Sequence, residues 1–217
     1  MTDASGGGQP LPPGGEGARL HGRADPGCDG VALVLHGGRE HSREEVSGRQ
    51  LAVLRMLPFA WSLRHGGSGR LAVLRLTYRL RGWNGAAEDP VQDARWALEH
   101  IRRAAPGRPV ALVGHSMGGR VALRLASEPA VAAVAALAPW VEDDVRRLRP
   151  TVPVLLMHGT QDRTTDPRRT AAVAARWTHE GAQVTHLRVA GEKHAMMRRP
   201  GYWHRTVTDF VTGALLR

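Results

Sequence analysis

The stretch Val110-Ala111-Leu112-Val113-Gly114-His115-Ser116-Met117-Gly118-Gly119 decides how the rest of the chain is read. It opens with an apolar run after Pro109 and leads into the helical pattern Val121-Ala122-Leu123-Arg124-Leu125-Ala126. Between them stands Gly-x-Ser-x-Gly, at a strand-to-helix turn. The turn is tight, so a Cβ on either flanking residue would collide with the adjoining strand or helix. The serine is driven into an unfavourable backbone conformation, with its hydroxyl held above the sheet edge. Ser116 is thus a candidate nucleophile, and the motif predicts an enzyme.

Working outward, apolar runs alternate with helical patterns. Val31 to Leu35, Leu71 to Leu76, Val110 to Val113, Val131 to Leu137, Val152 to Met157 and Val184 to Val189 read as strands. Continuous apolar strands separated by helices imply an α/β fold: a mostly parallel sheet of about six strands, covered on both faces. Helical stripes are Val91, Ala94, Leu98 and Ile101, then Val121, Leu125 and Ala126, then Trp203, Val207, Phe210 and Val211. Asp89-Pro90 and Asp166-Pro167 each read as a capping carboxylate before a first-turn proline. Pro58 opens a further helix through Arg64. That leaves residues 37–57 as a long excursion, of a kind often functional.

Composition sets the limits. The 217 residues are 42 % hydrophobic, enough for one domain with a substantial core. Residues 1–18 are rich in Gly and Pro and read as a disordered tail, with a single domain over 19–217. Cys28 is the only cysteine, so no intrachain disulfide forms and a reducing, cytoplasmic home fits. No signal peptide or membrane-spanning run is seen. The formal net charge is +10, and Lys193 is the only lysine among 30 basic residues. The arginines are spread along the chain and aromatics are few, which argues against nucleic acid as a partner. No metalloprotease spacing, dinucleotide fingerprint or phosphate loop occurs, so neither a metal nor a cofactor is expected. Oligomeric state is not legible.

A serine hydroxyl needs a base within reach, and the base needs an orienting acid. The run Val152 to Met157 ends in His158-Gly159-Thr160-Gln161-Asp162, which sets Asp162 just past a strand's carboxyl end. Asp143 and Asp144, after the preceding strand, are weaker alternatives. The last strand is followed by Gly191-Glu192-Lys193-His194. Of 11 histidines, only His194 occupies a loop after the last strand, downstream of the candidate acid. His36 and His158, at strand ends before glycine, read as buried structural residues. The oxyanion formed on attack needs fixed N–H donors. Met117, at the helix start, can supply one, and the stretch His36-Gly37-Gly38 the other.

These residues resemble the α/β-hydrolase superfamily, over most of its core from about Val31 onward. The resemblance rests on His36-Gly37-Gly38, the elbow, His158 to Asp162, and Lys193-His194. It implies Ser116 as nucleophile, His194 as base and then acid, Asp162 as orienter, and oxyanion donors at Met117 and Gly38. Small bacterial esterase or lipase-like and dienelactone-hydrolase-like members are the most similar. The short link between the fourth and fifth strands leaves no room for a large cap domain, while the chain has little room for the family's first two strands.

The expected activity is cleavage of small carboxylic esters through an acyl-enzyme. A thioesterase or acyl transferase keeps the same residues, and a non-catalytic binding protein on this fold is the rival from another class. Trp83, Trp140, Met196 and Met197 are candidates for pocket lining. Trp61, Trp96 and Trp177 read as core, and Arg39, Arg43 and Arg49 as possible carboxylate binders.

Overall fold

The computed structural model describes residues 17–216. The tail expected over residues 1–18 therefore lies outside the described residues, except for its last two. One seven-stranded sheet organises the rest. Its strands are β1 (Arg19–His21), β2 (Gly30–Leu35), β3 (Leu71–Thr77), β4 (Val110–His115), β5 (Val131–Leu137), β6 (Val154–Gly159) and β7 (Val184–Val189). The spatial order is β1-β3-β2-β4-β5-β6-β7. Every pairing is parallel except β1 with β3.

The expectation of about six strands misses β1. Its three residues, Arg-Leu-His, pair with Arg75 to Thr77 on one side only. So short an edge strand needs no apolar run, and none is there to read. The helices are α1 (Leu51–Leu54), α2 (Leu57–Gly66), α3 (Asp89–Ala104), α4 (Met117–Arg124), α5 (Asp143–Arg146), α6 (Pro167–His179) and α7 (Pro200–Leu215).

Strand alternation builds two cores. Leu33, Leu35, Leu112 and Leu156 face α3, α4 and α6, where Val91, Val121 and Trp177 are buried. Ala32, Val34, Val113 and Met157 face α2 and α7, where Phe59, Leu63, Trp203 and Val207 are buried. The central strands are buried on both faces, as parallel sheets require. Among the described residues, no large cap domain interrupts the sheet. Among the described residues, no helix is long and apolar enough to cross a membrane.

Two local expectations are corrected. Asp166 does cap α6, accepting from Arg168 N–H at 2.8 Å. Asp89 does not cap α3: it is buried, accepts from Asn84 Nδ2 at 2.9 Å and lies 3.5 Å from Arg79 Nη2. A buried guanidinium, also 2.5 Å from Asp93 Oδ1, outcompetes the helix N-terminus for this carboxylate. Trp61, expected in the core, is 62 % exposed, because Phe59, Ala60 and Leu63 are the residues that α2 turns inward.

The excursion after β2 is anchored by backbone. Arg39 N–H donates to Arg81 O at 2.8 Å, and Val46 N–H to Arg79 O at 3.1 Å. The chain leaves β2 for β3 on one side, whereas β4 leads to β5 on the other. Strand order therefore reverses between β2 and β4. At the carboxyl ends of such a pair, the diverging connections leave a crevice.

Candidate active site

Ser116 sits in that crevice with φ 57° and ψ −117°, as the residue before α4. Its conformation is held by backbone bonds: Ser116 N–H donates to Leu137 O at 2.9 Å, and its own carbonyl accepts from Arg120 and Trp140 N–H. The flanking glycines are sterically required. A Cβ on Gly114 would lie 2.1 Å from Gly118 O, and one on Gly118 would lie 2.5 Å from the carbonyl oxygens of Leu35 and His36.

Asp162 and His194 meet at the same edge. His194 Nδ1 lies 2.8 Å from Asp162 Oδ2. The carboxylate is buried and heavily hydrogen-bonded. Oδ2 lies 3.1 Å from His158 Nε2 and 3.0 Å from Thr165 Oγ1, while Oδ1 accepts from the N–H groups of Thr164 and Thr165. Burial pushes the Asp162 pKa up. Hydrogen bonds from His158, His194 and Thr164 N–H outweigh that, and the net shift is well below the usual carboxylate range. Asp162 is thus a fixed anion, suited to holding an imidazole with its proton on Nδ1.

Ser116 is linked to His194 through its neighbour. His115 Nε2 lies 2.9 Å from the His194 carbonyl oxygen, so this nitrogen carries the proton and donates. The two rings also pack with centroids 4.7 Å apart. Among the described residues, no hydrogen bond joins the Ser116 hydroxyl to His194. In unliganded hydrolytic sites this contact is often long and closes only with substrate.

The two expected oxyanion donors are also adjacent. Gly37 and Gly38 follow β2 and press on the elbow. A Cβ on Gly37 would lie 3.4 Å from Ser116 Cβ, and one on Gly38 would lie 2.6 Å from Met117 Sδ and 2.4 Å from Arg81 O. Gly38 is exposed, and Met117 opens α4, where N–H groups lack intrahelical partners.

The second histidine on Asp162 was not foreseen in this role. His158, fully buried at the end of β6, lies 2.8 Å from Thr170 Oγ1 through Nδ1 and reaches Asp162 through Nε2. Its position four residues before Asp162, across a tight turn, is the signal that points to it. Thr165 is a further partner, with Oγ1 3.2 Å from His194 Nδ1 and 3.1 Å from Ala138 O.

The pocket candidates divide. Trp83 and Trp140 clasp the Arg120 guanidinium, 3.8 and 4.3 Å from the ring centroids, and Arg120 also pairs with Asp144 at 3.0 Å. These indoles thus pack on a structural cation and line a 470 Å³ cleft. Asp144, the alternative acid, is committed to that pair. Met196 is buried and Met197 is 73 % exposed. A cleft of 840 Å³ opens beside His194, lined by Asp162, Arg163, Thr164, Lys193 and their neighbours. Among the described residues, no cluster of His, Cys, Asp or Glu has the arrangement of a metal site.

Two buried rings make folding sensitive to acid. Burial lowers the His36 pKa to about 4 and the His115 pKa to about 3. Unfolding restores both to about 6.5, so below that pH the unfolded state binds protons that the folded state does not. Stability is lost as pH falls through 6.5 and continues to fall until the folded-state values are reached. Between pH 7 and pH 5 the loss is about 2 kcal/mol for each ring. Urea titrations across this range test the point, and a flat unfolding free energy would contradict it.

Comparisons with known proteins bear on the family and the fold. The sequence profile of the serine aminopeptidase (S33) family matches residues 27–150, which is more than half of the chain. The chain belongs to this family, and with it to the α/β-hydrolase superfamily. The prolyl oligopeptidase family profile matches residues 135–216. No curated protein matches the sequence significantly. Among solved structures, a lidless α/β serine hydrolase from Xanthomonas campestris is 20 % identical, with a TM-score of 0.66 over 90 % of this chain and 87 % of that one. Est1E from Butyrivibrio proteoclasticus, with ferulic acid bound, is 15 % identical, with a TM-score of 0.70 over 92 % and 95 %. A monoacylglycerol lipase from Paleococcus ferrophilus is 17 % identical, with a TM-score of 0.69 over 91 % and 99 %. At these identities the structural matches speak for the fold, while the family profile makes the chain a serine hydrolase by family.

Proposed function

We propose that this serine hydrolase cleaves carboxylic esters through an acyl-enzyme. Ser116 Oγ attacks the carbonyl carbon while His194 Nε2 takes its proton. The N–H groups of Met117 and Gly38 hold the resulting oxyanion. On collapse, the C–O bond to the leaving group breaks and His194 returns the proton to the departing alcohol. Water then repeats the sequence and frees the acid. Asp162 keeps the imidazole proton on Nδ1 throughout.

One observation carries this reading: the 2.8 Å Asp162–His194 contact lies at the sheet edge where Ser116 is held in the strained elbow, with His115 tying His194 to that elbow. The similar folds include esterase and lipase structures, whereas both matching family profiles are of peptidases, so the test sets esters against amides. The test combines a fluorophosphonate probe with a graded panel of p-nitrophenyl esters, acyl-thioesters and aminoacyl anilides. The expected result is labelling at Ser116 and preferred turnover of oxoesters, with both abolished in Ser116→Ala. Retained activity in that variant rules the mechanism out. A strong preference for thioesters or anilides would keep the three residues and change the substrate.

A further inference from the structure

Six large apolar side chains stand out into solvent among the described residues: Leu51, Leu54, Leu57, Trp61, Met197 and Tyr202. They are not scattered. Four lie on α1 and α2, spaced three or four residues apart. The other two lie just before α7 and in its first turn.

The two pieces of chain are neighbours. Phe59 packs edge-on against His204, with ring centroids 4.5 Å apart, and Ser62 Oγ lies 2.8 Å from Thr208 Oγ1. Those two contacts advance together, so α2 and α7 run in the same direction. The chain enters α7 from the loop that carries His194, at the carboxyl edge of the sheet. The start of α2, with α1 before it, belongs to that same edge. Arg55, between α1 and α2, is close enough to His115 for its charge to oppose protonation of that ring. The apolar side chains therefore border the candidate active site, beside Arg55 on one flank and three residues beyond His194 on the other.

The segments that carry them hold charge of one sign. No Asp or Glu occurs between Glu45 and Glu88, or between Glu192 and Asp209. The same segments carry Arg49, Arg55 and Arg64, and Lys193, Arg198, Arg199 and Arg205. An exposed apolar patch of this kind marks an interaction surface. A second copy meeting it face to face would set cation against cation, which disfavours a symmetric dimer. Leucines and a tryptophan on segments whose charges are all cationic match the chemistry of an anionic lipid surface, where apolar groups enter the headgroup boundary and arginines meet phosphate.

We propose that α1, α2 and the first turn of α7 form a peripheral docking surface for an anionic lipid bilayer. Docking turns the carboxyl-edge crevice toward the lipid. The further consequence, that the substrate is an ester presented at that interface, rests on the proposed ester hydrolysis, whereas docking itself does not.

The test is sedimentation of the full chain, carrying Ser116→Ala, with vesicles of phosphatidylcholine alone or mixed equally with phosphatidylglycerol. The mixed vesicles are expected to bind the protein, and the neutral ones to leave it in solution. The double variant Leu51→Ser, Trp61→Ser removes no charge and should weaken binding to mixed vesicles by about tenfold or more. A control pair, Arg102→Gln with Arg103→Gln on α3 across the sheet, lowers net charge but should change binding less than about threefold. Absence of binding to mixed vesicles overturns the proposal. So does equal binding by the apolar variant, which would leave only diffuse charge attraction. A dimer in solution that this variant splits would assign the face to a second copy and also overturn it. Fluorophosphonate labelling of the unmutated protein keeps the two readings apart: vesicle binding without labelling spares the docking surface and removes the hydrolase mechanism.

Discussion

Asp162→Asn is expected to lower kcat on p-nitrophenyl esters by about 10⁴-fold, the scale set by loss of the orienting carboxylate in a serine–histidine–aspartate site. The environment of Asp162 makes asparagine unusually ill-suited. Oδ1 accepts from two backbone N–H groups, those of Thr164 and Thr165. Oδ2 faces His194 Nδ1 and His158 Nε2. An amide has one acceptor and one donor end, so either orientation points an NH₂ group at donors. If it faces His194, the imidazole must turn Nδ1 into an acceptor and move its proton to Nε2, where it cannot take a proton from Ser116. If it faces the turn, two backbone donors lose their acceptor, and each unsatisfied buried group costs about 1–3 kcal/mol. The variant should therefore lose thermal stability along with activity. Steady-state kinetics and thermal unfolding measured together check this. A kcat within tenfold of the parent would remove Asp162 from the mechanism, and the second acid to examine would be one not already held in an ion pair.

That crowding around Asp162 also shows what the sequence could reveal. Asp162 and His194 were legible because each follows a strand, and in a parallel sheet the carboxyl ends of the strands share one edge. The central strands were legible because burial on both faces demands unbroken apolar runs. His158 was legible as buried but not as a partner of Asp162, since that depends on where a ring turns after the strand ends. The Asp89-Pro90 pattern was misleading for a related reason. Capping is a local preference worth about 1 kcal/mol. The buried Arg79, which comes from β3's end, offers Asp89 a stronger interaction that no local pattern records. Trp61 went the same way. Its neighbours Phe59 and Leu63 already fill the inward face of α2, so the indole is left at the rim. Edge strand β1 left no signal because three residues with one pairing partner can have almost any composition.

The second large effect is on folding. Gly118→Ala should destabilise the protein by about 3 kcal/mol, the upper end of ordinary overpacking, and Gly114→Ala by at least as much. At both positions the added methyl group meets backbone rather than a side chain that can swing away. At Gly118 the obstacles are the carbonyl oxygens of Leu35 and His36, each 2.5 Å from the new atom. Relief would require β2 and α4 to separate, and β2 is a central strand with neighbours on both sides. The same separation would pull Gly37 and Gly38 from the elbow, so whatever folded population remains should also lose transition-state stabilisation. Gly213→Ala supplies the contrast. That residue is exposed in the last turn of α7, a Cβ there meets nothing within 4 Å, and the change should stabilise by up to about 1 kcal/mol through helix propensity. Urea unfolding of the three variants separates steric crowding at the elbow from any general intolerance of glycine replacement. Equal stability of Gly118→Ala and the parent would mean that β2 and α4 can part at little cost, and the rigidity that holds Ser116 in its strained conformation would have to come from elsewhere.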